Sequence, residues 1–162
     1  MTPIVSIVGK SKSGKTTLIE KLIQELKSRG YRVATIKHAA RGMDFNESGK
    51  DSWRHIQAGS EAIAISSPGK IVLIKPTTQD ITLDEIAHLL GDDYDIILAE
   101  GFKEGNTSKI EVHCKEVGPP LATVKKLMAI VTDEPLQTKT RQFSPQDIKG
   151  LADLLEQGFI KP

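Results

Sequence analysis

The chain is 162 residues long, 38% hydrophobic and 27% charged, with 22 Lys and Arg against 21 Asp and Glu for a formal net charge of +1. Length and apolar content predict one folded domain with a proper core, and the charge balance argues against nucleic acid as a partner. No apolar run approaches the ~18 residues that span a bilayer, no charged leader with a cleavage site is legible, and the single cysteine, Cys114, excludes an intramolecular disulfide or a Cys-based zinc cluster; a cytoplasmic protein without a membrane partner is expected.

The first unit is a β-branched apolar run, Ile4–Val8, ended by Gly9, the pattern of a fully buried strand. A helix is predicted over residues 15–29, with Leu18, Ile19, Leu22, Ile23 and Leu26 on one face and Gly30 at its C-terminal end. Residues 32–37 read as a second strand. Strand, helix and strand in the first 37 residues make a βαβ unit, hence a parallel sheet with a right-handed crossover.

Residues 39–50 read as a loop and residues 51–58 as a short helix ended by Gly59. Residues 62–66 and 71–74 form a predicted hairpin around Ser67-Pro68-Gly69-Lys70. Thr82-Leu83-Asp84-Glu85 is a capping box that opens a helix to about residue 90. Strands are expected at 94–99, 111–113 and 127–131. The last helix is expected to start at Ser144, with Pro145 at its first position and Ile148, Leu151, Leu154 and Leu155 facing inward. The fold class is therefore α/β: a mostly parallel sheet flanked by helices, with an antiparallel hairpin excursion.

Gly9-Lys10-Ser11-Lys12-Ser13-Gly14-Lys15-Thr16 fits G-x-x-x-x-G-K-[ST], between a buried strand and an amphipathic helix as that motif requires. Gly9 and Gly14 let the backbone wrap an anion, and successive N–H groups at a helix N-terminus favour phosphate. Lys15 reaches the β- and γ-phosphates, the Thr16 hydroxyl is a hard ligand for Mg²⁺, and Thr17 adds an α-phosphate contact. Lys10 resembles the signature lysine of the deviant P-loop ATPases; the alternative is a solvated loop lysine.

The motif makes the predicted fold P-loop NTPase-like, and such a fold needs a carboxylate at the end of a neighbouring strand to hold Mg²⁺. Glu100 ends the strand Asp95-Ile96-Ile97-Leu98-Ala99 and is assigned that role, at the sheet edge where open α/β folds bind ligands. A surface loop carboxylate is the alternative. Asp95 opens the same strand and reads as structural. His38 closes the second strand at the ligand edge, as a phosphate, metal or substrate contact or as a structural histidine. Asp44, Glu47, Asp51 and Arg54 are further candidates in and after the long loop. Asp133 either accepts from guanine N1 and N2 or opens the turn before Pro135.

Five segments together resemble the MobB family of molybdopterin-guanine dinucleotide biosynthesis adaptors: the P-loop followed by Thr16-Thr17-Leu18, Thr35-Ile36-Lys37-His38, Gly49-Lys50-Asp51-Ser52-Trp53-Arg54 with Ala58-Gly59, Glu100-Gly101-Phe102-Lys103, and Val131-Thr132-Asp133-Glu134-Pro135-Leu136. The resemblance spans about residues 3–136. It implies a GTP-binding protein with weak Mg²⁺-dependent GTPase activity, and a homodimer with an extended sheet. It also implies a MobA-like guanylyltransferase partner that joins GMP to molybdopterin, and molybdopterin itself as a further candidate ligand. It places phosphate and Mg²⁺ duties on Gly14, Lys15, Thr16 and Glu100. The chain departs from the family where Ala39-Ala40-Arg41 follows Lys37-His38 and at Asn46, so this loop receives no metal assignment. A P-loop small-molecule kinase and a non-catalytic nucleotide-binding adaptor are the rival readings.

Overall fold

The structure is a computed structural model that describes residues 1–42 and 51–161. The expected loop residues Asp44 and Glu47 lie outside the described residues. The chain divides into two compact units, Met1–His38 with Thr82–Pro162, and Ala39–Ile81.

The larger unit is built on a six-stranded sheet. Its strands are β1 (Ile4–Val8), β2 (Val33–Lys37), β5 (Ile96–Glu100), β6 (Ser108–His113), β7 (Leu127–Thr132) and β8 (Arg141–Phe143), in the spatial order β2-β5-β1-β6-β7-β8. Every neighbouring pair is parallel. The smaller unit holds α2 (Asp51–Gln57) and an antiparallel hairpin of β3 (Ile63–Ser67) and β4 (Lys70–Ile74), turned by Pro68 and Gly69. The hairpin forms a two-stranded sheet of its own.

Alternation along the central strands sends apolar side chains to both faces of the larger sheet. One face carries Val5, Ile7, Ile96, Leu98, Ile110, Val112, Ala129 and Val131. It packs on Leu18, Ile19, Leu22 and Leu26 of α1 (Lys15–Ser28) and on Leu151, Ala152 and Leu155 of α4 (Ile148–Leu155). The other face packs Ala34, Ile36, Ile97 and Ala99 on Leu83 and Ala87 of α3 (Leu83–Leu90). Each buried aliphatic side chain contributes about 1.5–3 kcal/mol through lost water contact, so these two layers carry most of the fold.

Helix ends follow local chemistry. At the end of α1 the Gly30 N–H donates to the Lys27 carbonyl (3.0 Å) and the Tyr31 N–H to the Leu26 carbonyl (3.1 Å), a Schellman closure that needs a left-handed residue at Gly30 (φ 90°). The capping box on α3 is complete: the Glu85 N–H donates to Thr82 Oγ1, and the Thr82 N–H to the Glu85 carboxylate.

Two expectations change. The strand expected at 111–113 runs over Ser108–His113, because Lys109, Glu111 and His113 are buried polar groups that alternate with Ile110 and Val112 and mask the apolar signal. The last helix starts at Ile148 and not at Ser144. The Asp147 N–H donates to the Ser144 carbonyl (2.9 Å), closing a turn over Pro145, and the Asp147 carboxylate then caps Gly150 N–H (3.0 Å). Strand β8 is a finding of the structure alone; of its three residues only Phe143 is buried.

The far end of α1 is tied to the last helix. Arg29 donates to Glu25, Asp153 and Glu156, and Tyr31 donates its hydroxyl to Glu156. Hydrogen bonds from Lys161, Tyr31 and Arg29, in that order, hold the Glu156 carboxyl at about 2, below its usual 4.5. A carboxyl depressed in the folded chain stabilises it above the unfolded value, and that stability is lost as pH falls from about 4.5 to about 2. Thermal melts of Glu156→Gln should therefore lie below those of the native chain at pH 7. The gap should narrow across that acidic window, and a constant gap from pH 7 to pH 2 would refute the account.

Candidate functional site at the carboxyl edge of the sheet

The phosphate-loop sequence forms the turn between β1 and α1. Gly9 sits where a Cβ would lie 2.4 Å from the Val112 carbonyl oxygen and 2.8 Å from Ser13 Oγ, so no side chain fits between the loop and β6. Gly14 is left-handed (φ 102°) and caps α1 without any side-chain hydrogen bond, so the N–H groups of the first helical turn stay open to a ligand. Ser11 and Lys12 are exposed at the crest, and Lys12 also takes a left-handed backbone (φ 63°).

Lys15 folds back over the loop. Its Nζ donates to the Gly9 carbonyl (2.9 Å) and the Lys10 carbonyl (2.8 Å), which holds the ammonium against the start of the loop. Burial lowers its pKa, Glu100 opposes that shift, and the positive charge of Lys37 adds to it. The Ser13 hydroxyl is buried and has no hydrogen-bond partner among the described residues. An unpaired buried hydroxyl costs about 1–3 kcal/mol, and here it lies inside a loop built to meet anions.

Glu100 ends β5 beside this loop, as the sequence predicts. Parallel pairing places it level with Ile7 of β1 and Lys37 of β2. The Thr16 hydroxyl donates to Glu100 Oε1 at 3.0 Å, and Lys37 Nζ lies 3.8 Å from the same oxygen. A hydroxyl and a carboxylate so close form a hard oxygen pair, the donor set that suits Mg²⁺ when phosphates and water supply the other ligands. Among the described residues no group of three or more His, Cys, Asp or Glu could hold a metal ion by itself.

His38 packs beside Glu100 by its backbone and its ring. Its N–H donates to the Glu100 carbonyl (3.1 Å), and its imidazole meets the Phe102 ring at 5.1 Å. Gly101 makes this possible: it is left-handed (φ 95°), and a Cβ there would stand 3.3 Å from the His38 Cβ. Asp95 is structural as expected, receiving the Arg32 N–H (2.7 Å) at the opposite edge. Lys10 reaches the turn after β6, its Nζ 3.7 Å from where a Cβ of Gly118 would lie. Asp51 and Arg54 belong to the smaller unit, where they form an exposed ion pair at 3.8 Å.

A cleft of about 220 Å³ opens on the other side of β1, lined in part by Ser13, Thr17, Lys21, Cys114, Asp133 and Pro145. Asp133 Oδ1 accepts from the Lys115 N–H at 2.9 Å. That bond first, and the Cys114 thiol second, hold the Asp133 carboxyl below the usual carboxylate range. Glu134 pairs instead with the buried His113 (2.9 Å).

Lys37 is the site residue that motif reasoning does not single out. Its neighbour His38 carries the more recognisable chemistry, and only the strand register brings the Lys37 ammonium onto Glu100. No phosphate-loop pattern specifies the second strand.

The profile of the family described as Molybdopterin guanine dinucleotide synthesis protein B (MobB) matches residues 4–133. A molybdopterin-guanine dinucleotide biosynthesis adapter protein of Haemophilus influenzae is 36% identical over 95% of this chain and 88% of its own length. Its Escherichia coli counterpart is 32% identical over 99% and 95%. The crystal structure of Bacillus subtilis MobB superposes with a TM-score of 0.75 at 26% identity, over 99% of both chains. A crystal structure of molybdopterin-guanine biosynthesis protein B superposes at 0.72 with 30% identity, covering 95% of this chain and 97% of the other.

The contact under Gly9 gives a direct test. Gly9→Ala should destabilise the chain by about 1–3 kcal/mol, as overpacked sites do, and should displace the loop from β6. Denaturant unfolding reads the loss; an unchanged midpoint would show that the close approach to Val112 is not a constraint.

Proposed function

The chain belongs to the MobB family, the adapters of molybdopterin-guanine dinucleotide biosynthesis, and we propose that its phosphate loop binds GTP with Mg²⁺ and hydrolyses it slowly. The observation that carries this reading is the Lys15 ammonium held over an uncapped helix N-terminus, beside the Thr16–Glu100 oxygen pair. An oligophosphate laid on this loop meets backbone N–H donors from below and one ammonium from above.

The nucleoside end has one direction to take. The cleft lies on the β6–β7 side of the loop and the carboxylate on the β5 side. Ribose and base therefore lie toward Thr17 and Asp133, and the terminal phosphate lies toward Glu100. The ionised Asp133 carboxylate is an acceptor of the kind that guanine N1–H and N2–H need.

Thr16 and Glu100 would hold Mg²⁺, which when bound neutralises charge on the phosphate oxygens. In hydrolysis a water oxygen attacks the γ-phosphorus as the bridging P–O bond breaks, and GDP leaves with the electron pair of that bond. Lys15 balances the growing negative charge, and the loop amides fix the chain of phosphates in line. Among the described residues of the larger unit no arginine lies at this edge: Arg29 and Arg32 are engaged elsewhere, and Arg141, at the start of β8, lies over the Phe143 ring. Slow turnover follows, below ~1 s⁻¹ for the isolated protein.

The adapter role requires partners. A MobA-like guanylyltransferase is the proposed partner enzyme and molybdopterin a candidate ligand of the assembly. The homodimer has support in the hairpin, whose Ile71 and Leu73 are 72% and 49% exposed on strand β4. A two-stranded hairpin is marginally stable alone, and a second copy would cover that apolar surface. Sedimentation should find a dimer for the native chain and a monomer for Ile71→Asp; a native monomer at micromolar concentration would refute this part.

Isothermal titration with GTP and ATP, with and without Mg²⁺, tests the central claim. Lys15→Ala removes a charged hydrogen bond worth ~1.5–3 kcal/mol and should weaken GTP about ten- to a hundredfold. An equal affinity of the native chain for ATP would remove the guanine assignment. An unchanged GTP affinity in Lys15→Ala would remove the loop assignment.

A further inference from the structure

Two cations converge on this edge from different elements. Lys15 approaches from the loop, and Lys37 from the end of β2, two strands away from β1 in the sheet. Lys37 and Glu100 are direct neighbours in the β2–β5 ladder. The apolar residues of their strands show that both point to the sheet face that α1 covers: Val33 on β2, and Ile96 and Leu98 on β5, join the core cluster of that face. The first turn of α1 presents Thr16 there. Lys37 Nζ and Thr16 Oγ1 consequently share one carboxylate oxygen, at 3.8 and 3.0 Å.

The Lys37–Glu100 contact is a loose ion pair, longer than a direct charged hydrogen bond, with the lysine side chain 66% exposed. Exposed pairs of this kind are weak and readily exchanged. Among the described residues Lys37 has no other hydrogen bond or ion pair that competes for its ammonium. Its positive charge acts on Lys15 unfavourably, and an anion placed between the two would turn that repulsion into two attractions.

We infer that Lys37 is a second phosphate-binding cation of the site, which donates from Nζ to the terminal phosphate of a bound nucleoside triphosphate and so distinguishes a triphosphate from a diphosphate. The inference rests on the nucleotide reading above and goes beyond the phosphate-loop motif, which ends at residue 16. The orientation follows from the sheet. With the nucleoside in the cleft on the β6–β7 side, successive phosphates run across the end of β1 toward β5 and β2, and the last of them faces Lys37. A diphosphate in the same pose ends over the loop, short of that ammonium.

The test compares affinities for GTP and GDP in Mg²⁺ by titration calorimetry, for the native chain, Lys37→Met, Lys37→Arg and Lys27→Met. Lys37→Met should weaken GTP about ten- to a hundredfold and change GDP by less than about threefold, collapsing the preference for the triphosphate. Lys37→Arg should recover most of it, because charge and reach are kept. Lys27→Met removes the same charge from the opposite end of α1 and should leave the preference unchanged. Equal losses for GTP and GDP in Lys37→Met, or no loss for either, would overturn the inference while leaving the nucleotide reading in place. A native chain that binds neither nucleotide would overturn that reading, and with it the role of Lys37. Matching thermal melts of the four proteins show that each variant is folded, as exposure of the side chain leads one to expect.

Discussion

Between Gly9 and the backbone of β6 there is no room for a single carbon. The Val112 carbonyl lies directly under the turn, and this contact sets where the loop leaves β1 and where α1 begins. Lys15, Ser13 and Thr16 inherit their positions from that start. The constraint is steric, made of backbone on backbone, and does not depend on any charge that a ligand or a change of pH could alter. A loop anchored this way keeps its amides oriented before an anion arrives, so little ordering remains for binding to supply.

From this anchor the two sides of the edge take different work. Toward β5 and β2 lie the oppositely charged Glu100 and Lys37, with the Thr16 hydroxyl beside them. Toward β6 and β7 lies the cleft with Thr17, Cys114 and Asp133. The division is a property of strand order. Because β1 sits between β5 and β6, a single loop has a polar flank and a roomier flank without any insertion. His38, Gly101 and Phe102 then lock the polar flank, since the left-handed Gly101 lets the imidazole pack against the turn that follows Glu100.

Much of this was legible in the chain, and the failures have physical causes. The phosphate loop, the run Ile4–Val8 and the heptad-like face of α1 announce themselves because local geometry and burial agree. Glu100 could be placed at the ligand edge because it ends an apolar strand. Strand β8 was hidden, since three residues with one buried phenylalanine carry no periodicity. The start of α4 moved because two capping signals compete within four residues. Ser144 spends its hydroxyl on Gln146 and its carbonyl on a turn, and Asp147 becomes the cap. The contact of Lys37 with Glu100 could not be read without the pairing of β2 with β5, a fact of topology that no window of sequence contains.

The polar stripe on β6 has one more effect. Lys109 is fully buried and gives its ammonium to the carbonyls of Gly105 and Thr107, and Glu111 takes the Leu121 N–H. Sliding this strand by a single residue would drive both charges, with His113, into the aliphatic layer beneath α1, while Ile110 and Val112 would face polar partners. The strand is thereby proofread by its own ionisable groups: a misaligned hydrogen-bonding ladder is rejected during folding. Since Val112 is the floor under Gly9, this safeguard on strand alignment also guarantees the shape of the anion cradle above it.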